Sequence, residues 1–156
     1  MNQIQNIPYA ELQLGQKAEI TRQIDERDLQ LFAAVSGDRN PVHLDADYAA
    51  STQFKGRIAH GMFSGALISA VAAMHLPGPG TIYLGQNLRF MRPVKLGDTL
   101  RVELEVIEKL PKNRVRLATR IFNQDDKLVV DGEAEVMAPE HKLSLDLPAL
   151  PPIQIG

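Results

Sequence analysis

Three stretches in the second half of the chain alternate apolar and polar residues with a period of two. In "DTLRVELEVIEKL", Leu100, Val102, Leu104 and Val106 fall on one side and Arg101, Glu103 and Glu105 on the other. "NRVRLATRIFNQ" sets Val115, Leu117, Thr119 and Ile121 against Arg114, Arg116, Ala118 and Arg120, and "KLVVDGEAEVMAP" sets Val130, Gly132, Ala134 and Val136 against Asp131, Glu133 and Glu135. Successive side chains of a strand point to opposite faces, so each stretch predicts a strand with one buried face. "TIYLGQNLRFMRP" and, near the N-terminus, "KAEITRQI" (Lys17 to Ile24) are also strand-like, and the connections "LPKN" and "QDDK" are short enough for hairpins.

Helical spacing governs the rest of the first half. In "DERDLQLFAAVSG", Leu29, Phe32, Ala33 and Ser36 share one side. Asp25 is placed to cap the start, Asp28 favours the first turn, and Gly37 is a natural stop. "DADYAAST", from Asp45, predicts a second, short helix. "GMFSGALISAVAAMH", Gly61 to His75, is apolar nearly all round and rich in Gly, Ala and Ser, which predicts a buried helix with close neighbours; "LPGPG" ends it. One apolar helix ahead of antiparallel strands, each with one apolar face, predicts an α+β fold in which a curved sheet wraps the helix. An exposed sheet edge invites a second copy, so a homodimer is expected. The tail "EHKLSLDLPALPPIQIG", from about residue 140, is expected to lie over the surface of a single domain spanning 1–156.

Composition narrows the function classes. A net charge of −2 gives no general attraction to nucleic acid. The absence of cysteine excludes disulfides, thiolate metal sites and a cysteine nucleophile, and suits a reducing cytosol. "MNQIQNIPYAELQLGQ" has neither the basic start nor the apolar run of a signal peptide, and no apolar run reaches the ~20 residues that span a bilayer. The expectation is a cytoplasmic protein with no nucleic-acid or membrane partner.

The chemistry concentrates in "SGDRNPVHLD", Ser36 to Asp45. It follows a helix stop, where a scaffold fixes the ends of a loop. Pro41 locks its own φ and restricts Asn40, which can tie its side chain to nearby backbone. The short path from Asp38 to His43 is thereby pre-organised, and an acid and an imidazole at its ends could grip one water molecule. The same residue types also build ordinary turns, and Asp45 can simply cap the next helix. No third ligand follows Asp38 and His43 at a recognisable spacing, so no metal is expected.

A second feature is "RIAHGMFSG". Gly61 opens the apolar helix, whose first N–H groups lack internal partners and favour negative charge; a glycine there lets a ligand approach the backbone. Alternatively Gly61 only permits close packing, with His60 orienting the turn. "GMFSG" has the wrong spacing for a nucleophile elbow, and no phosphate-binding glycine motif is present. Ser64 and Ser69 are small residues on a crowded helix, of which Ser69 could lend a hydrogen bond to a site.

Taken together, "FAAVSGDRNPVHLD", "RIAHGM" and "TIYLGQNLRFMRPVKLGDTL" resemble the MaoC-like hydratases of the hot-dog superfamily, and most closely the small (R)-specific enoyl-CoA hydratases that supply polyhydroxyalkanoate synthesis. The resemblance runs from about Leu12 to Pro139 without a departure at the motif positions. It implies a hot-dog fold of about five antiparallel strands around the long helix, a homodimer with active sites near the subunit interface, and an acyl-CoA substrate with no cofactor. It implies Asp38 and His43 as the catalytic pair, the Gly61 N–H as the oxyanion donor, and supporting roles for Asn40 and, outside the motif, Ser69. Two alternatives stand beside it: a hot-dog acyl-CoA thioesterase, and a non-catalytic acyl-CoA binding module.

Overall fold

The computed structural model describes residues 2–155. Its elements run β1 (Gln3–Gln5), a 3-10 turn (Tyr9–Glu11), β2 (Lys17–Gln23), α1 (Glu26–Ser36), α2 (Pro41–Leu44), α3 (Ala46–Ser51), α4 (Gly61–Met74), β3 (Ile82–Phe90), β4 (Thr99–Lys109), β5 (Arg114–Phe122), β6 (Leu128–Met137) and β7 (Ser144–Asp146). Five strands form one antiparallel sheet in the order β2-β4-β5-β6-β3. The period-two residues do what their spacing requires: Leu100, Val102, Leu104, Val115, Leu117, Thr119, Ile121 and Val136 have no exposed surface. They meet Leu67, Ile68, Val71 and Ala72 of α4, which lies in the hollow of the sheet. On the outer face the opposite residues pair by charge, as in Arg101 with Glu103 (3.1 Å) and Arg114 with Glu135 (2.9 Å). Such solvated pairs contribute little individually.

Local signals also fix α1. The Asp25 carboxylate accepts the Asp28 N–H, Asp28 reciprocates to the Asp25 N–H, and Gly37 closes the helix at φ 79°. A positive φ is inexpensive only for glycine.

Two features depart from the sequence reading. The apolar helix is not covered all round within one chain: Gly61, Met62, Ala66, Ala70 and Ala73 are exposed, and Gly65 and Ser69 half-buried. One curved sheet can wrap only one side of a helix. The tail also forms structure. β7 pairs with β1, and the buried Asn6 ties both termini together by donating to the carbonyls of Pro79 and His141 and accepting the Leu143 N–H. Beyond β7 the chain crosses α1, where Ile153 and Ile155 border an apolar cavity of about 640 Å3 with Leu31, Phe32, Val35 and Phe63.

Candidate active site

The segment between α1 and α3 is held by its own side chains. The Ser36 hydroxyl donates to the Phe32 carbonyl (2.6 Å) and accepts the Asp38 N–H (3.1 Å). Asp38 Oδ1 accepts the Asn40 N–H (3.1 Å), and Asn40 Oδ1 accepts the Val42 N–H (3.1 Å), capping α2 with Pro41 as its first residue. What reads as a loop in sequence is therefore one helical turn. Pro41 suits it because the first helical N–H would lack a partner anyway. That turn carries His43 inward to 7% exposure, while the Asp38 side chain stays half exposed.

Asp38 and His43 converge. Asp38 Oδ2 lies 3.7 Å from His43 Nε2, too far for a hydrogen bond but close enough for one molecule to touch both. His43 Nδ1 is 2.7 Å from the Ile58 carbonyl oxygen. A carbonyl can only accept, so Nδ1 carries a hydrogen, and in the neutral tautomer this leaves the Nε2 lone pair turned toward Asp38. Two acceptors facing one gap are suited to a water molecule, which can donate a hydrogen to each and keep an oxygen lone pair free.

His60 closes the site from behind. Its ring stacks on His43, with centroids 3.7 Å apart and planes at 23°, and its Nε2 lies 3.0 Å from the Asp38 carbonyl oxygen. Asp38, His43 and His60 thus place one nitrogen or oxygen each within 4.8 Å of one another. This is a third neighbour that the spacing of the sequence does not reveal. One nitrogen of each ring is already bonded to a carbonyl, which leaves one free nitrogen per ring beside a single half-exposed carboxylate. The donor set is a poor chelate on those grounds.

Gly61 follows His60 and is the first residue of α4. Its N–H has no hydrogen-bond partner among the described residues. The Phe90 ring lies against its Cα, such that an added Cβ would come within 3.3 Å. A cleft of about 300 Å3 opens here, bordered by Ile58, His60, Gly61, Ser64 and Phe90. The larger cavity under the C-terminal strap does not include Asp38, His43 or Gly61, so size alone does not mark the chemistry. Ser69 is not part of this cluster. It lies eight residues beyond Gly61, about 12 Å along the helix at the usual rise per residue, on the same uncovered stripe. The Ile58 carbonyl and the Phe90 ring escape sequence reasoning altogether. A backbone acceptor has no residue signature, and Phe90 reaches Gly61 only through the fold.

A short-turn acid and histidine beside the free amide of an apolar helix, within a sheet that wraps that helix, define a hot-dog protein, and the chain belongs to the MaoC-like domain family, which it matches over residues 9–125. Within that family it is 43% identical, over 131 residues, to the (R)-specific enoyl-CoA hydratase of Rhodospirillum rubrum, a match covering 84% of this chain and 91% of that protein. Its structure superposes on R-hydratase PhaJ1 from Pseudomonas aeruginosa, in the unliganded form, with a TM-score of 0.96 and 79% identity, covering 99% of this chain and all of that one. The (R)-hydratase of Aeromonas caviae involved in polyhydroxyalkanoate biosynthesis gives a TM-score of 0.80 at 44% identity, covering 82% of this chain and 98% of that one.

Proposed function

We infer that the chain is an (R)-specific enoyl-CoA hydratase, a hydro-lyase that adds water to trans-2-enoyl-CoA to give (3R)-3-hydroxyacyl-CoA. The observation that carries the mechanism is the pair of acceptors, Asp38 Oδ2 and His43 Nε2, facing each other across 3.7 Å, with His60, stacked on His43, leading directly into the free Gly61 amide. The thioester oxygen binds the Gly61 N–H. Water held between Asp38 and His43 attacks C3, and as the C–O bond forms the pair takes one proton from it. The C2–C3 π electrons move toward the thioester, and the resulting enolate-like charge is stabilised at the start of α4 by the amide and the helix dipole. A proton from the pair then reaches C2, so the atoms of one water are added and the enzyme returns to its starting state. Asp38 and His43 act as one coupled acid–base unit. Asn40 holds the turn that aims them. No cofactor is required, because the thioester carbonyl already polarises the double bond. The Aeromonas caviae relative is involved in polyhydroxyalkanoate biosynthesis, which supports reading the (3R) product as a monomer precursor, with fatty-acid β-oxidation as the proposed source of the enoyl-CoA.

Ser69 stands too far from Gly61 to touch the reacting carbons. Its supporting role is to the acyl chain, laid along the small-residue stripe of α4. That stripe and the neighbouring edge strand leave Met62, Tyr83 and Phe90 exposed, the last two in register with the inward-facing Val136 and Val130 of β6. A second copy of the chain is the occupant this face requires: β3 is an unpaired edge, and the uncovered stripe begins at the proposed oxyanion donor. The working enzyme is accordingly a homodimer whose partner walls the substrate channel. A single hot-dog domain carries the site, with the tail from about residue 140 as an addition. An acyl-CoA substrate and a chain without cysteine suit the cytoplasm.

The test uses trans-2-enoyl-CoA esters of increasing length. Hydration removes the conjugated absorbance, releases no thiol, and yields the (3R) alcohol on chiral analysis. Release of free CoA thiol instead would make the protein a thioesterase. Saturable binding without turnover would make it an acyl-CoA binding module.

A further inference from the structure

His60 is 3% exposed, and its Nδ1 is the one buried side-chain nitrogen or oxygen without a hydrogen-bond partner among the described residues. An orphaned ring nitrogen in a protein interior is costly unless the ring is held there for another reason. Three contacts supply that reason. Its Nε2 lies 3.0 Å from the Asp38 carbonyl, which can only accept, so Nε2 carries a hydrogen and Nδ1 is the orphan. Its face lies on the face of His43, and the Phe32 ring stands edge-on to it at 5.0 Å. Its backbone is the cap of α4, immediately before the Gly61 amide. One ring therefore touches the main chain of the acid and the plane of the base, and its residue immediately precedes the oxyanion donor.

We propose that His60 is a positioning residue for the hydration reaction. As the neutral Nε2–H tautomer, it fixes the Asp38 main chain and the His43 ring in register with the Gly61 amide, and takes no part in proton transfer. The proposal rests on the hydratase reading above. It assigns the ring two separable duties, a donor to Asp38 and a flat surface for His43. A misplacement of about 1 Å in such a constellation costs on the order of 10²-fold in rate.

Two variants separate the duties. His60→Phe keeps a flat ring between Phe32 and His43 and removes the donor. His60→Gln places an amide N–H where Nε2 stood and removes the ring. With a short trans-2-enoyl-CoA, His60→Phe is expected to lower kcat by about 10²-fold with KM within about threefold of wild type, and His60→Gln to recover kcat to within about tenfold of wild type. A His60→Phe enzyme as fast as wild type, or a His60→Gln enzyme no better than His60→Phe, overturns the donor role. The tautomer is read independently of activity. Long-range 1H–15N spectra of the full-length protein resolve its four histidines, with His60 assigned by its loss in His60→Gln. The expected ring is protonated on Nε2 alone, and a proton on Nδ1 refutes the proposal. If the wild type fails to hydrate enoyl-CoA, the functional reading falls, while the spectra still decide how His60 is held.

Discussion

Replacing Asp38 by Asn changes one atom of the proposed pair and almost nothing else. The carboxamide oxygen can still accept the Asn40 N–H at the Oδ1 position, so the turn keeps its internal bond. At the Oδ2 position an NH2 group would then face His43 Nε2, whose lone pair is free because Nδ1 donates to Ile58. The new group donates where the carboxylate accepted. It removes one proton acceptor and sets a donor opposite the other, so a water in the gap can no longer donate to both sides. A positioned acid–base group contributes on the order of 10²–10⁴ in rate, so the loss in kcat is expected near 10³-fold, or about 4 kcal/mol of barrier. The Asp38 side chain is half exposed, and stability should change by no more than about 0.5 kcal/mol. The assay follows the fading of the enoyl-thioester absorbance at saturating substrate, with a thermal melt as the control for folding. An Asp38→Asn protein that melts like wild type yet keeps kcat within tenfold of it would falsify the two-acceptor mechanism.

Three further outcomes follow from the same geometry. Combining Asp38→Asn with His43→Ala should cost little more than the worse single change, because groups that act as a unit are strongly non-additive; the same kinetic assay reads it. Gly61→Pro removes the N–H assigned to the oxyanion and adds ring carbons against Phe90, whose exposed side chain must shift by a few tenths of an ångström. Proline suits a first helical position, and His60, at φ −58° and ψ 137°, already has the backbone that precedes a proline, so a drop of about 10²–10³ in kcat is expected with a melting curve close to wild type. Ile68→Ala, at a fully buried position of α4, should destabilise the protein by about 2–5 kcal/mol in urea unfolding, a value near zero being incompatible with the helix packing against the sheet.

Much of the fold was legible because the physics behind it is local and periodic. Alternation at residues 100–106, 115–121 and 130–136 marked strands with one wet face, and the opposite, apolar faces form the core. Asp25 and Gly37 marked the ends of α1 by capping chemistry that depends on one or two residues. The D-x-N-P-x-H segment was legible as a turn carrying an acid and a histidine, since proline and asparagine restrict their own backbone. That it forms a helical turn placing Asp38 and His43 3.7 Å apart was settled only by the contacts around it. The pairing of β1 with β7 joins residues more than 130 positions apart, each strand three residues long, too short for any pattern to register.

What the chain order alone determined, then, is which residues want to be buried, where helices begin and stop, and which side chains could do acid–base work. What only the tertiary structure decided is who meets whom. The Ile58 carbonyl orients His43, His60 is pressed between Phe32 and His43, Phe90 covers Gly61, and one stripe of an all-apolar helix is left bare. The reason is that periodicity and capping are properties of a few neighbouring residues. The partner of a ring nitrogen or the cover of a helix face depends instead on segments brought together by the whole packed sheet, and no short window of sequence contains them.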